Sequence, residues 1–395
     1  MSTRCRARGA GALAVALCLS TACASARPAA RGPQDAPPAT EVSFAEGTAV
    51  DVSRLDLELA GKNDEELFAI AQAAFAAGDY RRAAAAFGRV ADLHPASSRR
   101  AAALFDAGLS HERLAEWRDA LRRFEQFDAG YAGPDADEAA FHAAAALWRL
   151  AELASARAAL ERLAARGDLS DANRIRAFTE LGVVQIDLAD LDAAEQSLRR
   201  AVSLWTDARD RERLDPYHPA QAHYYLGEVA RRRFRAVALD PSREADSALE
   251  AALERKSEFL LAAQGYYLRA IRVGDPDWAV ASGYRIGELY DELHAQMTAA
   301  PLPPGLPDEE AKVYREELAR KVRVLLVKAI TVYEQTLQAA RQGGVDNRFV
   351  EEAQRAVERM KRSLVEADAL PGDAGAAAPA PAAPPHPAAP ASPRG

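Results

Sequence analysis

The sequence predicts an all-α fold built from repeated helical hairpins, and three observations predict it. Alanine, the best helix former, makes up about a quarter of the 395 residues, while aromatic residues are only 7%. Apolar and small residues recur with a helical period of 3.6 through the middle of the chain. A pair of small residues then returns at a near-constant interval, first at Ala71, Gly108, Ala144 and Gly182, which is the mark of a repeat array. A formal net charge of −8 argues against a general nucleic-acid binder.

Residues 1–22 read as a secretion leader. Arg4, Arg6 and Arg8 give it a positive start, and Gly9 to Leu19 is a short apolar run. That run falls short of the roughly 20 residues a helix needs to span a bilayer, so it has the form of a signal peptide. The three cysteines, Cys5, Cys18 and Cys23, all lie here, which leaves the rest of the chain without a disulfide framework. Leu19-Ser20-Thr21-Ala22-Cys23 resembles a bacterial lipobox, with Ser20 where that pattern prefers leucine. The resemblance implies cleavage before Cys23, a lipid on Cys23 and, with Ala24 next, sorting to the outer membrane. An ordinary signal cleaved after Ala26 is the other reading.

Residues 23–62 are expected to be a disordered tether. Pro28, Pro33, Pro37 and Pro38 punctuate a stretch that cannot bury enough apolar surface to order itself. Residues 370–395 form a Pro/Ala tail with almost no charge, expected to be disordered as well.

Residues 63–369 carry the repeat. In the first unit Leu67, Ile70, Ala71 and Ala74 form one helical face, and Ala83, Phe87 and Val90 form a second. Between them, Gly78 suits the left-handed position that ends a helix. The small residues of the first helices are Ala71, Gly108, Ala144, Gly182, Gly227 and Gly287. Those of the second helices are Ala83, Ala120, Ala156, Ala194, Ala263 and Ala329, and four residues later stand Phe87, Phe124, Leu160, Leu198, Tyr267 and Tyr333. This pattern resembles the tetratricopeptide repeat, a hairpin of about 34 residues whose small crossing residues let two helices approach. The resemblance implies an α-solenoid of about six hairpins. Gly182 and Ala194 are expected to face each other across one of them.

The last two hairpins are expected to be elongated. The two small residues stand 12 apart in the first four units, but 36 apart between Gly227 and Ala263 and 42 apart between Gly287 and Ala329. Asp240-Pro241 reads as an N-cap followed by proline at the first helical position. A helix from there to Ile271 would be roughly 45 Å long. A second long helix should run from Asp308 to Arg341 and end at Gly343-Gly344. A capping helix, from Asp346 or Asn347 to Ala369, should then cover the last apolar face. The run Gly283 to Tyr290 resembles repeat proteins of myxobacteria, some of which belong to the envelope complex for gliding motility.

Motifs that carry chemistry are missing. There is no Gly-rich phosphate loop, no HExxH and no Gly-x-Ser-x-Gly, and the seven histidines are scattered. Glu65-Glu66, Glu309-Glu310 and Glu351-Glu352 sit near helix starts, where carboxylates favour the positive dipole end. No enzyme activity, cofactor or metal site is therefore expected.

The repeat resemblance implies instead a protein-binding groove lined by the first helices. Its candidate contacts are Phe68, Phe75, Phe105, Arg113, Trp148, Arg149, Tyr224 and Arg231, with Phe141 expected in the core. Trp148 and Arg149 lead, because Trp and Arg are enriched at binding hot spots. The lysine and asparagine clamp of chaperone-binding relatives is absent; Gln72 stands at the asparagine position. The dense basic run Arg231-Arg232-Arg233-Phe234-Arg235 reads as a solvated helix end or as a dock for an acidic partner or for anionic envelope polymer. The expected function is a non-catalytic scaffold, anchored by lipid to the periplasmic side of the outer membrane. It would help assemble an envelope complex such as motility or outer-membrane protein assembly machinery. The alternative is a peptidoglycan-associated coordinator of the envelope or of cell division. Partners would be envelope proteins or peptide segments, with no nucleic acid and no small-molecule substrate.

Overall fold

A computed structural model describes residues 52–239, 246–300, 302 and 305–368. The leader, Cys23 and the Pro/Ala tail lie outside the described residues, as does Asp240-Pro241. Two units divide between Glu58 and Leu59. Of the first, the described part is helix α1 (Val52–Leu59) up to the division. This corrects the expected tether at its end: Leu55 and Leu59 stand four apart on one helical face, and Leu59 is buried.

The second unit is a run of helical hairpins with no strand among the described residues. Its first helices are α2 (Asp64–Ala76), α4 (Arg100–Arg113), α6 (Pro134–Arg149), α8 (Asp171–Asp187), α10 (Tyr217–Ala236) and α12 (Pro276–Thr298). Their partners are α3 (Tyr80–Leu93), α5 (Trp117–Gly130), α7 (Leu153–Ala164), α9 (Leu191–Asp207), α11 (Asp246–Val273) and α13 (Asp308–Gly343). Each helix packs on the next in sequence, and α6, α8, α10 and α12 also pack on one another in order. The last helix, α14 (Arg348–Asp368), contacts both α12 and α13. It thus takes the place of a seventh first helix and closes the array, as the sequence predicts.

The first four hairpins turn in the same way. Gly78, Ala115, Ala151 and Ala189 all adopt the left-handed conformation, with φ of 79, 57, 59 and 60°. In each turn the amide of this residue donates three residues back, to Phe75, Glu112, Trp148 and Ile186. The next amide donates five residues back, to Ala74, His111, Leu147 and Gln185. This is the Schellman closure, which satisfies the last carbonyls of the first helix. The residue after the left-handed one is already the N-cap of the second helix, so no residue is spare. Asp79 and Asp190 cap with their side chains, accepting from the amides of Arg82 and Ala193.

At the crossing points the register is as the sequence predicts, with one change. The second-helix alanines, Ala83 to Ala329, are all fully buried. What lies over each glycine, however, is the larger residue four positions further on. A Cβ on Gly108, Gly182, Gly227 or Gly287 would stand 2.5–2.6 Å from Phe124, Leu198, Tyr267 or Tyr333. Gly182 therefore accommodates Leu198 rather than Ala194. Each of these large side chains is at most 1% exposed, and burying one contributes roughly 1.5–3 kcal/mol.

The elongated helices are present. α11 has 28 residues and α13 has 36, against 12 to 17 in the earlier second helices. Beyond the reach of a normal hairpin, α11 ties down the end of α10. Lys256 donates to the carbonyls of Phe234 and Val237, both at 2.8 Å. Gly344, left-handed at φ 65°, ends α13.

Candidate protein-binding surface

The candidate contacts divide into three groups. Phe68, Tyr224 and Arg231 are buried, at 6%, 3% and 4% exposure, and are corrected as groove contacts. Phe68 meets Phe87 of its own hairpin edge-on at 5.4 Å. Tyr224 sits among Tyr225, Tyr267 and Trp278, and its hydroxyl accepts from Arg285 Nε at 3.0 Å. Burial, and then the nearby Glu228 carboxylate, push its phenol above the ordinary range. Phe68 is covered within its own hairpin, whereas for Tyr224 and Arg231 the physical reason is that α10 packs directly on α8 and α12. A side chain aimed off α10 meets α12 before it meets solvent.

Arg231 shows this most clearly. It pairs with Glu288 at 2.9 Å, with Glu292 through Nε at 3.1 Å, and with Glu228 on its own helix at 3.4 Å. The rest of the basic run is engaged as well. Arg232 donates to the Ile186 carbonyl, Arg233 pairs with Asp192 and Glu195, and Arg235 pairs with Glu292. The run is not a set of free guanidinium groups: Arg231 is buried, and Arg232 and Arg235 are paired although they stay exposed to solvent. It is a set of ties from α10 to its neighbours on both sides.

Phe105 is half-buried and fills the joint between the second and third hairpins. Its ring meets Phe124 at 5.7 Å, Phe127 at 5.8 Å and His142 of α6 at 5.7 Å. His142 in turn stacks on Phe124 and bonds to Glu112 at 3.0 Å.

The remaining four, Phe75, Arg113, Trp148 and Arg149, come together with two further aromatic residues, Tyr80 and Trp117. Tyr80 and Trp117 are the first residues of α3 and α5; Arg113 and Arg149 are the last residues of α4 and α6. Arg113 lies over the Tyr80 ring at 5.7 Å, and Phe75 meets that ring edge-on at 5.3 Å. One hairpin along, Arg149 lies over Trp117 at 5.6 Å and over Trp148 at 4.9 Å. Trp148 Nε1 donates to Asp187 of the next hairpin at 2.8 Å. The result is a ladder of alternating rings and guanidinium groups along the turn edge of the array, with both arginines exposed. The signal for it was a near-equal interval from aromatic to arginine, Tyr80 to Arg113 and then Trp117 to Arg149.

Two further features bear on chemistry. An open hollow of about 520 Å³ lies against Ser170, Asp171, Asp207, Arg209 and Asp210, where helix and loop ends meet. His111, Glu116 and Asp119 bring ligand atoms within 4.8 Å of one another and could hold a divalent cation. In the structure Glu116 is hydrogen-bonded to His111 at 2.8 Å and Asp119 is paired with Arg122, so all three groups already have partners within the chain.

No family model matches the sequence, and no curated protein does. Solved structures overlap it distantly. The apo form of RapI shares 11% identity over 77% of this chain and 99% of that one, with a TM-score of 0.41. The C-terminal part of a tetratricopeptide repeat protein from Cytophaga hutchinsonii shares 12% over 77% and 100%, also at 0.41. MamA shares 16% over 53% and 91%, at 0.37. The repeated turns and crossing points described above decide the fold. The second unit has the fold of an α-solenoid of tetratricopeptide-like hairpins. Among the described residues there are six, the last two elongated, and they end in a capping helix.

Proposed function

We propose that this solenoid is a non-catalytic scaffold that binds other proteins through its turn edge. The observation that carries the reading is the ladder of Arg113, Trp117, Trp148 and Arg149. Most of the arginines of α10 are spent on contacts within the array, whereas these two present a guanidinium to solvent over an aromatic ring. Arginine held flat on a ring is pre-organised for a carboxylate or for a backbone carbonyl of a partner, and Trp and Arg dominate interface hot spots.

The address belongs to the same proposal. The lipobox-like run before Cys23 favours an outer-membrane lipoprotein on the periplasmic side, with envelope proteins or peptide segments as partners. Assembly of an envelope complex, such as motility or outer-membrane protein assembly machinery, is the process it would serve.

The test is a crosslinked pull-down of the tagged full-length protein from its own envelope, followed by repetition with Trp148→Ala. Wild type should recover subunits of an envelope machine, and the variant should bind them about 30-fold more weakly, the equivalent of roughly 2 kcal/mol. Full affinity in the variant would reject the ladder, and recovery of muropeptide-linked material alone would favour the peptidoglycan alternative. Cys23→Ser should release the protein from membranes and abolish labelling with a palmitate analogue. Unchanged labelling would reject the lipid anchor.

A further inference from the structure

Helix α13 has two faces, and only one of them is used by the fold. On the inner face Ala311, Val322, Leu326, Ala329 and Tyr333 are buried. On the outer face Val313, Glu317, Arg320, Val324 and Val327 follow at steps of four, three, four and three, the spacing of a coiled-coil seam. All five are exposed, the three valines at 57, 53 and 48%.

The helix also outruns its hairpin partner. Counted along both helices from the Gly287–Tyr333 crossing, the end of α12 at Thr298 lies level with Val322. The stretch from Asp308 to Lys321, about 21 Å at 1.5 Å per residue, therefore extends past α12.

Charge is segregated along this stretch. Residues 308–317 carry Asp308, Glu309, Glu310, Glu316 and Glu317 against Lys312 and Arg315. Residues 318–328 carry Arg320, Lys321, Arg323 and Lys328 and no acid. A second helix of the same sequence laid parallel would put acid on acid and base on base. Laid antiparallel, it would put acid on base at both ends.

We propose that the outer face of α13 pairs antiparallel with the same face of a second copy of this chain. A two-fold axis between Leu318 and Ala319 sets Val313 level with Val324 of the other copy. It also sets Glu317 level with Arg320, and Glu316 level with Lys321. The contact is isologous, so every pairing occurs twice. Within one chain Arg320 already pairs with Glu317 at the surface, and association exchanges that partner for its equivalent across the axis. Val313 and Val324 supply the apolar part of the seam, Val327 lies level with Glu310 at its edge, and the central charged residues fix direction and register. One helix pair of this length is at the small end of stable interfaces, so the dimer should dissociate in the micromolar range.

Sedimentation velocity of the full chain over a concentration series tests this, with Glu317→Arg, Arg320→Glu and the double exchange of both. Wild type should show a reversible dimer. Each single change places like charges level with each other and should raise the dissociation constant at least about tenfold. The double exchange restores opposite charges and should return it to within about threefold of wild type. Both positions are exposed, and circular dichroism should show equal helicity in all four proteins. A monomer at every concentration would overturn the proposal. So would a dimer indifferent to the single changes, or one that the double exchange fails to restore.

Discussion

The ring of Tyr267 occupies the place where a side chain on Gly227 would begin. An ideal Cβ on that glycine stands 2.5 Å from the ring, and the ring itself is fully buried. The same relation holds between Gly287 and Tyr333. The elongated hairpins thus close on a tyrosine where the earlier ones close on phenylalanine or leucine, and the bare backbone of the glycine leaves the room that ring fills.

Gly227→Ala should therefore be destabilising although alanine is the better helix former. Overpacking of this kind costs about 1–3 kcal/mol, and Tyr267 has nowhere to move. Gly265→Ala is the control. It lies in α11 with nothing within 4 Å of its would-be Cβ, so the change should stabilise by about 0.5–1 kcal/mol. Urea denaturation of the two variants should move the midpoint in opposite directions.

The three left-handed alanines are a second place where one residue decides the local energy. Ala115, Ala151 and Ala189 stand where the first hairpin has Gly78. A left-handed L-residue costs roughly 1–2 kcal/mol, offset in part by the extra chain entropy that glycine would lose on folding. Each Ala→Gly change should stabilise by about 0.5–1 kcal/mol, and thermal melts of the single and triple variants should rise in step.

Arg231 and Arg235 share the carboxylate of Glu292 but differ in burial. Arg231 is 5% exposed in its side chain and Arg235 is 47% exposed. Removing a buried partner strands charge, so Arg231→Ala should cost about 3–5 kcal/mol. Arg235→Ala, at the surface, should cost below about 1 kcal/mol. Equal losses in chemical denaturation would mean that Arg231 is not buried in the joint between α10 and α12.

His223 on α10 gives the fold a pH dependence of known sign. Burial, helped by Arg269, lowers its imidazole from an ordinary 6.5 to about 4, and its Nδ1 is buried without a partner. The unfolded chain therefore takes up this proton first as pH falls. The contribution to stability is complete above pH 6.5 and is lost progressively down to about pH 4. Its size is on the order of 1–3 kcal/mol. Over that window wild type should lose unfolding free energy relative to His223→Phe; a constant difference between the two would reject the assignment.

The crossing positions and the first turn were legible in the sequence because they follow a repeated interval. Gly78 marks a left-handed turn by itself, whereas its equivalents Ala115, Ala151 and Ala189 carry no such mark. The glycines under Phe124, Leu198, Tyr267 and Tyr333 stand from 16 to 46 residues before them, and their recurrence from unit to unit exposes the pairs. The lengths of α11 and α13 followed from the same counting, as did the place of the capping helix.

Which candidate contacts stay open was not legible. Tyr224 and Arg231 obey the same helical spacing as Trp148 and Arg149, yet the first two are buried and the last stands in solvent. The difference lies in how each first helix is rotated and pressed against the next. That rotation is set by whole side-chain layers from two hairpins, and Arg231 meets Glu292 across 61 residues of chain. Sequence by itself determined the path of the backbone through each hairpin. Only the packing of hairpin on hairpin decided which arginines became internal ties and which were left to face a partner, because burial is a property of the assembled neighbours and not of the residue.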